Sequence, residues 1–158
     1  LKSLNCFRSR YRPGRRCPSS PPPHDGQLKM KQALLIVDHG SRRTESNLLV
    51  QDIARMMQQR FGLSIVHYAH MELGQPTIQQ GFDACVADGA EEVIVHPYFL
   101  GPGLHVTTNI PHLVKEAANH HPGVAFRITK PLGVHPKLGE VILERIAQAV
   151  DDASSSAR

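Results

Sequence analysis

Apolar positions along this chain keep two periods in turn, a short unbroken run and then a helical spacing. The run Ala33-Leu34-Leu35-Ile36-Val37 is too short for a lone core helix and rich in branched residues, the pattern of a strand buried on both faces. Thr44 and Glu45 then open a stretch with Leu48, Leu49, Ile53, Met56 and Met57 at helical spacing, stopped at Phe61-Gly62. Leu63 to Ala69 reads as a second strand. Pro76 and Thr77 start the next helix, with Ile78, Phe82, Cys85 and Val86 on one side and Asp88-Gly89 closing it. Glu91 to His96 is a third strand. Ile110 to His121 is a helix with Pro111 in its first turn, where a missing N–H costs nothing. Val124 to Thr129 is the fourth strand and Pro136 to Val150 the last helix, with Leu138, Val141, Ile142, Ile146 and Val150 turned inward. Asp151 to Arg158 is expected to fray.

The order β-α-β-α-β-α-β-α predicts an α/β domain with a four-stranded parallel sheet and helices on both faces, because each right-handed crossover must return over the sheet. All four strand exits then lie on one edge, the edge where open α/β sheets bind ligands. His39, Ser41, Arg42 and Arg43 follow the first strand, His70 and Glu72 the second, His105 the third, and Lys130 and His135 the fourth. Pro97 to Thr108 is the longest connection, with two glycines and a second proline, and reads as an active-site loop.

The formal charge of +4 changes the picture less than it promises. Seven of the eighteen Lys/Arg and one of the fourteen Asp/Glu fall in Leu1 to Lys29, which leaves the body from Met30 onward near −2. Nucleic-acid binding loses its main electrostatic support. Residues 1–29, with five arginines between Arg8 and Arg16 and the run Ser19 to Pro23, have no apolar periodicity and pack no core. They read as sequence upstream of a start at Met30, or as an organelle (plastid) transit segment. Residues 30–150 form the domain and 151–158 the tail. Cys85 is alone in the body, so no disulfide framework holds it, and a reducing compartment fits, the cytoplasm unless the head is a plastid address. No run approaches the ~20 apolar residues of a membrane span.

Nine of the ten histidines lie in the body. Imidazole binds first-row metals and, as a class, titrates near neutral pH. Two neutral imidazoles with a carboxylate suit a divalent first-row metal such as Co²⁺, Fe²⁺ or Ni²⁺. There is no HExxH helix, no CxxC pair and no glycine-rich phosphate cradle. His67, His112, His120 and His121 read as surface residues, Met56 and Met57 as core filler, and Cys85 as a plain buried thiol. His70, His96 and His135 stay open between structural and functional roles.

Three motifs, in order, carry a resemblance: Asp38-His39-Gly40-Ser41-Arg42; Met71-Glu72-Leu73-Gly74-Gln75-Pro76-Thr77-Ile78; and Pro97 to Val106 followed by Asn109-Ile110-Pro111. From about Gln32 to Val150 the chain resembles the short, single-domain class II chelatases. The resemblance implies a flavodoxin-like three-layer half-unit of the longer chelatase fold, paired as a homodimer. It implies insertion of Co²⁺ or Fe²⁺ into sirohydrochlorin, for cobalamin or sirohaem, with the metal as substrate and no organic cofactor. It also implies that His39 and His105 bind the metal and accept the pyrrole protons, with Glu72 assisting as ligand or base. Ser41, Arg42, Arg43 and Lys130 are the candidates for the carboxylate-rich macrocycle. One departure stands out: the family places Asp before Ile-Pro, where this chain has Asn109, an amide that can cap a helix but cannot act as a base. Two other classes compete. A histidine phosphatase would need Arg, where Asp38 stands, before the histidine. A non-catalytic histidine-based metal carrier would use the same residues without binding a macrocycle.

Overall fold

The computed structural model describes residues 31–156. The head, with Cys6, Cys17 and His24, lies outside the described residues. The elements are β1 (Gln32–Asp38), α1 (Thr44–Phe61), β2 (Ile65–His70), α2 (Ile78–Ala87), β3 (Glu92–Pro97), a π-turn (His105–Asn109) running into α3 (Ile110–Asn119), β4 (Ala125–Ile128) and α4 (Pro136–Ser156). All pairings are parallel, in the order β2-β1-β3-β4. The alternation of strand and helix in the sequence is therefore matched element for element.

β1 sits between two partners, which is why its sequence is apolar on both sides. Ala33, Leu35 and Val37 face the larger core, where they meet Ile78, Phe82 and Cys85 of α2 and Ile110 and Val114 of α3. Ile36 and Leu34 face the other way, towards Val50 and Ala54 of α1. Fully burying a side chain such as Phe82 stabilises by roughly 1.5–3 kcal/mol, so the α2/α3 side carries most of the fold. At Gly81 a Cβ would stand 2.7 Å from Leu35 Cδ1, and its absence lets α2 lie close on the sheet. Burial pushes the Cys85 thiol up to about 12, as fits a plain core thiol. Thr77 caps α2 in a reciprocal box: its hydroxyl accepts from Gln80 N–H and the Gln80 side chain accepts from Thr77 N–H.

Four expectations are corrected. In α1 the inward stripe is Val50, Ile53, Ala54 and Met57, while Leu48, Leu49 and Met56 are exposed. The helix offers two apolar stripes, and small Ala54 allows the closer approach. β2 starts two residues and ends one residue later than predicted, so His70 is its fully buried last residue and no part of an exit loop. His105 stands in a helical π-turn continuous with α3, where an irregular loop was expected. Finally, α4 stays helical to Ser156, and its apolar positions do not face the core. Val141, Ile142, Ile146 and Val150 are 45–60% exposed and Leu138 is half-buried. The helical period fixes which residues share a side of α4 but says nothing of what that side meets.

Beyond the strand ends, the pairing of β1 and β2 continues as backbone hydrogen bonds. Met71 N–H donates to the Asp38 carbonyl (2.9 Å) and Glu72 N–H to the His39 carbonyl (3.1 Å). Gly40, at φ +80°, lies against this seam, and a Cβ there would stand 2.1 Å from the Glu72 carbonyl oxygen. Gly40→Ala therefore combines a left-handed backbone with a backbone clash and should cost about 2 kcal/mol or more. Thermal unfolding reads this directly, and an unchanged Tm would mean that the seam is not tightly packed.

Candidate active site

The seam sets His39 and Glu72 side by side. The His39 Nε2 and Glu72 Oε2 atoms are 4.0 Å apart, with the side chains 43% and 48% exposed. An exposed pair at that distance contributes well under 1 kcal/mol, so the backbone bonds, not the side-chain attraction, hold the two together. The π-turn brings the third group. The His39 and His105 rings meet edge to face, with centroids 5.1 Å apart and planes at 77°. Two imidazoles sharing one ion at a near-tetrahedral angle, with metal–nitrogen bonds of about 2 Å, have centroids about 5 Å apart. No group of three or more His, Cys, Asp or Glu side chains is gathered at metal-holding spacing among the described residues, His39, His105 and Glu72 included. The arrangement is an open pair with a carboxylate at its side.

The partners of each ring set its working nitrogen. The Nδ1 atom of His39 faces the Gly40 carbonyl at 3.2 Å; that oxygen only accepts, so the proton belongs on Nδ1 and the Nε2 lone pair points towards Glu72. His105 Nδ1 faces the Asn109 side-chain amide at 3.3 Å, one turn along the same π-turn. Asn109 thus makes no helix cap, contrary to the sequence expectation, and its side chain turns to His105. With the NH₂ group towards the ring the proton moves to His105 Nε2. With the amide turned over, its oxygen accepts from Nδ1–H and Nε2 is free to bind metal.

Asn47 is the residue that sequence reasoning passed over, and His70, left open there, proves structural through its pairing with Asp38. His70 is fully buried, with Nδ1 2.5 Å from Asp38 Oδ1, while the same carboxylate oxygen accepts from Gly40 N–H at 3.0 Å. One carboxylate therefore fastens the end of β2 to the turn that carries His39. Asn47 closes the turn from the other side: its Oδ1 accepts from Ser41 N–H (2.8 Å) and its Nδ2 donates to the Ser41 carbonyl (2.9 Å). No sequence pattern signalled the Asp38–His70 contact, which joins residues 32 positions apart, and Asn47, inside a helical pattern, gave no signal either.

The other predicted site residues stand at the edge without joining the trio. Ser41 Oγ accepts from Arg43 N–H, so it shapes the start of α1. Arg42, Arg43 and Lys130 are exposed, the first two before α1 and the third after β4. His96 Nδ1 pairs with Thr129 Oγ1 at 2.6 Å on the sheet face, and burial holds its pKa below the usual imidazole range. His135 Nδ1 accepts from Lys137 N–H at the start of α4. His67, His112 and His121 pair with Asp88, Glu116 and Asp83, in keeping with the surface reading. Around the trio, large apolar side chains lie open: Leu73 next to Glu72, Leu104 next to His105, and Leu100, the last two about 70% exposed.

Comparison with known proteins agrees with this edge. The CbiX family model matches residues 33–149. The chain is 44% identical over 124 residues to the chloroplastic sirohydrochlorin ferrochelatase of Arabidopsis thaliana, covering 78% of this chain and 55% of that one. It is 33% identical to the sirohydrochlorin cobaltochelatase of Priestia megaterium, covering 80% of this chain and 41% of that one. The sirohydrochlorin chelatase SirB from Bacillus subtilis subspecies spizizenii, solved in complex with cobalt, superposes with a TM-score of 0.70 at 29% identity, over 75% of this chain and 51% of that one. The chain spans about half the length of the curated relatives it matches. By the reach of the family model and by the three motifs that converge on one sheet edge, this chain belongs to the CbiX family of class II chelatases.

Proposed function

We propose that the protein inserts Co²⁺ or Fe²⁺ into sirohydrochlorin. The observation that carries this reading is the open pair of imidazoles, 5.1 Å apart, with the Glu72 carboxylate 4.0 Å from His39. A free tetrapyrrole loses two N–H protons as the divalent ion enters, so the site needs a loosely held metal and bases within reach of the ring. His39 and His105 hold the ion through ring nitrogens; as the ion passes to the macrocycle, Glu72 takes up one leaving proton and an imidazole nitrogen freed of the ion takes up the other. The open apolar side chains of Leu73, Leu100 and Leu104 suit the face of a broad planar ring. Arg42, Arg43 and Lys130 at the rim suit its carboxylates, with the Ser41 turn fixing where the two arginines start. Relatives named for iron and for cobalt both match, and imidazole and carboxylate accept either ion.

The half-length match supports a second reading about assembly: two copies of this chain pair to provide the two halves that the longer relatives carry on one chain. The chloroplast address in the plant relative's name, together with the arginine- and serine-rich residues 1–29, supports a plastid transit segment over the cytoplasm. Intact mass of the protein recovered from its native source should lack the head, and a mature chain that retains Leu1 would overturn that address.

With sirohydrochlorin and either ion under anaerobic conditions, the absorbance change should exceed the uncatalysed rate. His39→Ala and His105→Ala should each lower it by at least about 100-fold while the melting curve persists. If both variants keep the wild-type rate, the site assignment fails; if metal binds and no macrocycle does, the protein is a metal carrier. Asn109 gives a sharper outcome. Asn109→Asp should equal or exceed wild type, because a carboxylate only accepts from His105 Nδ1–H, and Asn109→Ala should lose about 10- to 100-fold in kcat/KM. Equal rates for all three would show that Asn109 does not orient the ring.

A further inference from the structure

His70 is the buried imidazole that the proposed chemistry leaves unused. Its side chain is fully buried at the end of β2, yet only one ring nitrogen is paired: Nδ1 lies 2.5 Å from Asp38 Oδ1, and Nε2 finds no partner among the described residues. A carboxylate only accepts, so Nδ1 carries the proton and donates. A buried nitrogen left unpaired is destabilising, and native chains break that rule chiefly at functional sites. The packing also makes room for this ring. A Cβ on Gly74 would stand 2.8 Å from His70 Cδ2, and one on Gly40 would stand 2.9 Å from His70 Cβ. The Tyr68 ring meets the imidazole edge to face, with centroids 5.7 Å apart.

We infer that His70 is a positioning residue for the metal site, holding the His39 turn and the Glu72 loop in one register through its single Nδ1–H. This rests on the proposed binding of the metal by His39 and His105, and it names what aims the first of them. On one side the ring holds Asp38, whose same carboxylate oxygen accepts from Gly40 N–H at 3.0 Å, so the turn that presents His39 is fixed from below. On the other side the backbone of His70 closes the loop that carries Glu72. His70 N–H donates to the Pro76 carbonyl at 2.8 Å, and His70 pairs with Thr77 as a parallel bridge. The His39 side chain is 43% exposed, so its direction follows the turn beneath it more than any packing of its own. A plain hydrocarbon ring would fill the space between Gly40 and Gly74 as well as an imidazole does. It would leave the Asp38 carboxylate without the donor that sets its angle, which is the reason for a histidine at this position.

The test separates the hydrogen bond from the bulk of the ring. Asn places an amide N–H where Nδ1 stands and lacks the outer ring; Gln reaches the place of Nε2 and leaves that of Nδ1 empty; Phe keeps a ring with neither nitrogen. Co²⁺ is titrated into the full chain by calorimetry without any macrocycle, beside a thermal melting curve, with His39→Ala defining the share of binding that belongs to the site. His70→Phe and His70→Gln should weaken that binding about 10-fold or more, while His70→Asn stays within about threefold of wild type although its smaller side chain lowers Tm. The same order should appear in kcat/KM for the metal. If His70→Phe binds Co²⁺ as tightly as wild type, or the variants rank by Tm alone, His70 only fills space and the inference is overturned. Asp38→Asn should also weaken binding, and Asp38→Asn/His70→Phe should be no worse than the worse single variant, because both remove one bond; losses that multiply would mean two separate effects and overturn the pairing. His121→Ala removes a stacked ring and an ion pair at the opposite edge, so it should lower Tm and leave Co²⁺ binding unchanged. A loss of binding there would show that lowered stability alone weakens the site. His39→Ala keeps the two readings distinct: if it binds Co²⁺ like wild type, the metal assignment fails and this inference with it, and if it loses binding while His70→Phe keeps it, only this inference fails.

Discussion

The active edge depends on one carboxylate and two backbone hydrogen bonds. Asp38 ends β1, and its side chain accepts from Gly40 N–H and pairs with buried His70, while its carbonyl and that of His39 receive the N–H groups of Met71 and Glu72. These contacts prolong the β1–β2 ladder past the point where both chains leave the sheet. His39 and Glu72 are thereby placed by main-chain geometry, which is stiff, and their side chains stay half-exposed and free to meet a ligand. A charged pair holding the same residues by side chains alone would be worth too little at that exposure to fix them.

The fold was largely legible because its signal lies in β1. A strand between two partners must be apolar on both sides, and Ala33 to Val37 reads so without any neighbour being known. Alternation then fixes the parallel sheet and puts His39, Glu72 and His105 on one edge, where the structure has them. What stayed hidden shares a physical cause. His70 looked like a loop residue because an imidazole at a strand end carries no period, and only its Asp38 partner, 32 positions away, explains its burial. The π-turn looked like a loop because Gly101-Pro102-Gly103 precedes it and one turn of widened helix leaves no apolar repeat. Asn109 looked like a cap because its position before Ile110-Pro111 fits one, yet its amide is spent on His105.

α4 marks the limit of pattern reading in another way. Its apolar stripe was expected to turn inward, but a helical period declares only which residues share a side, and that side is largely exposed. The larger core closes without it: Phe82, Ile110 and Val114 are fully buried in its absence.

The openness of the His39–His105 pair suits the proposed transfer of a metal. A resident metal calls for a closed set of ligands, and a transferred one calls for a site that binds and then releases. On the proposed function, an ion held by two imidazoles, with a carboxylate 4.0 Å from one of them, would keep coordination positions open for the nitrogens of a macrocycle, which could take it over without displacing a full protein shell. Such a site cannot itself enclose a broad ring. One half-unit offers an edge, with Leu73, Leu100 and Leu104 standing open on it, and a second half-unit would turn that edge into a cleft.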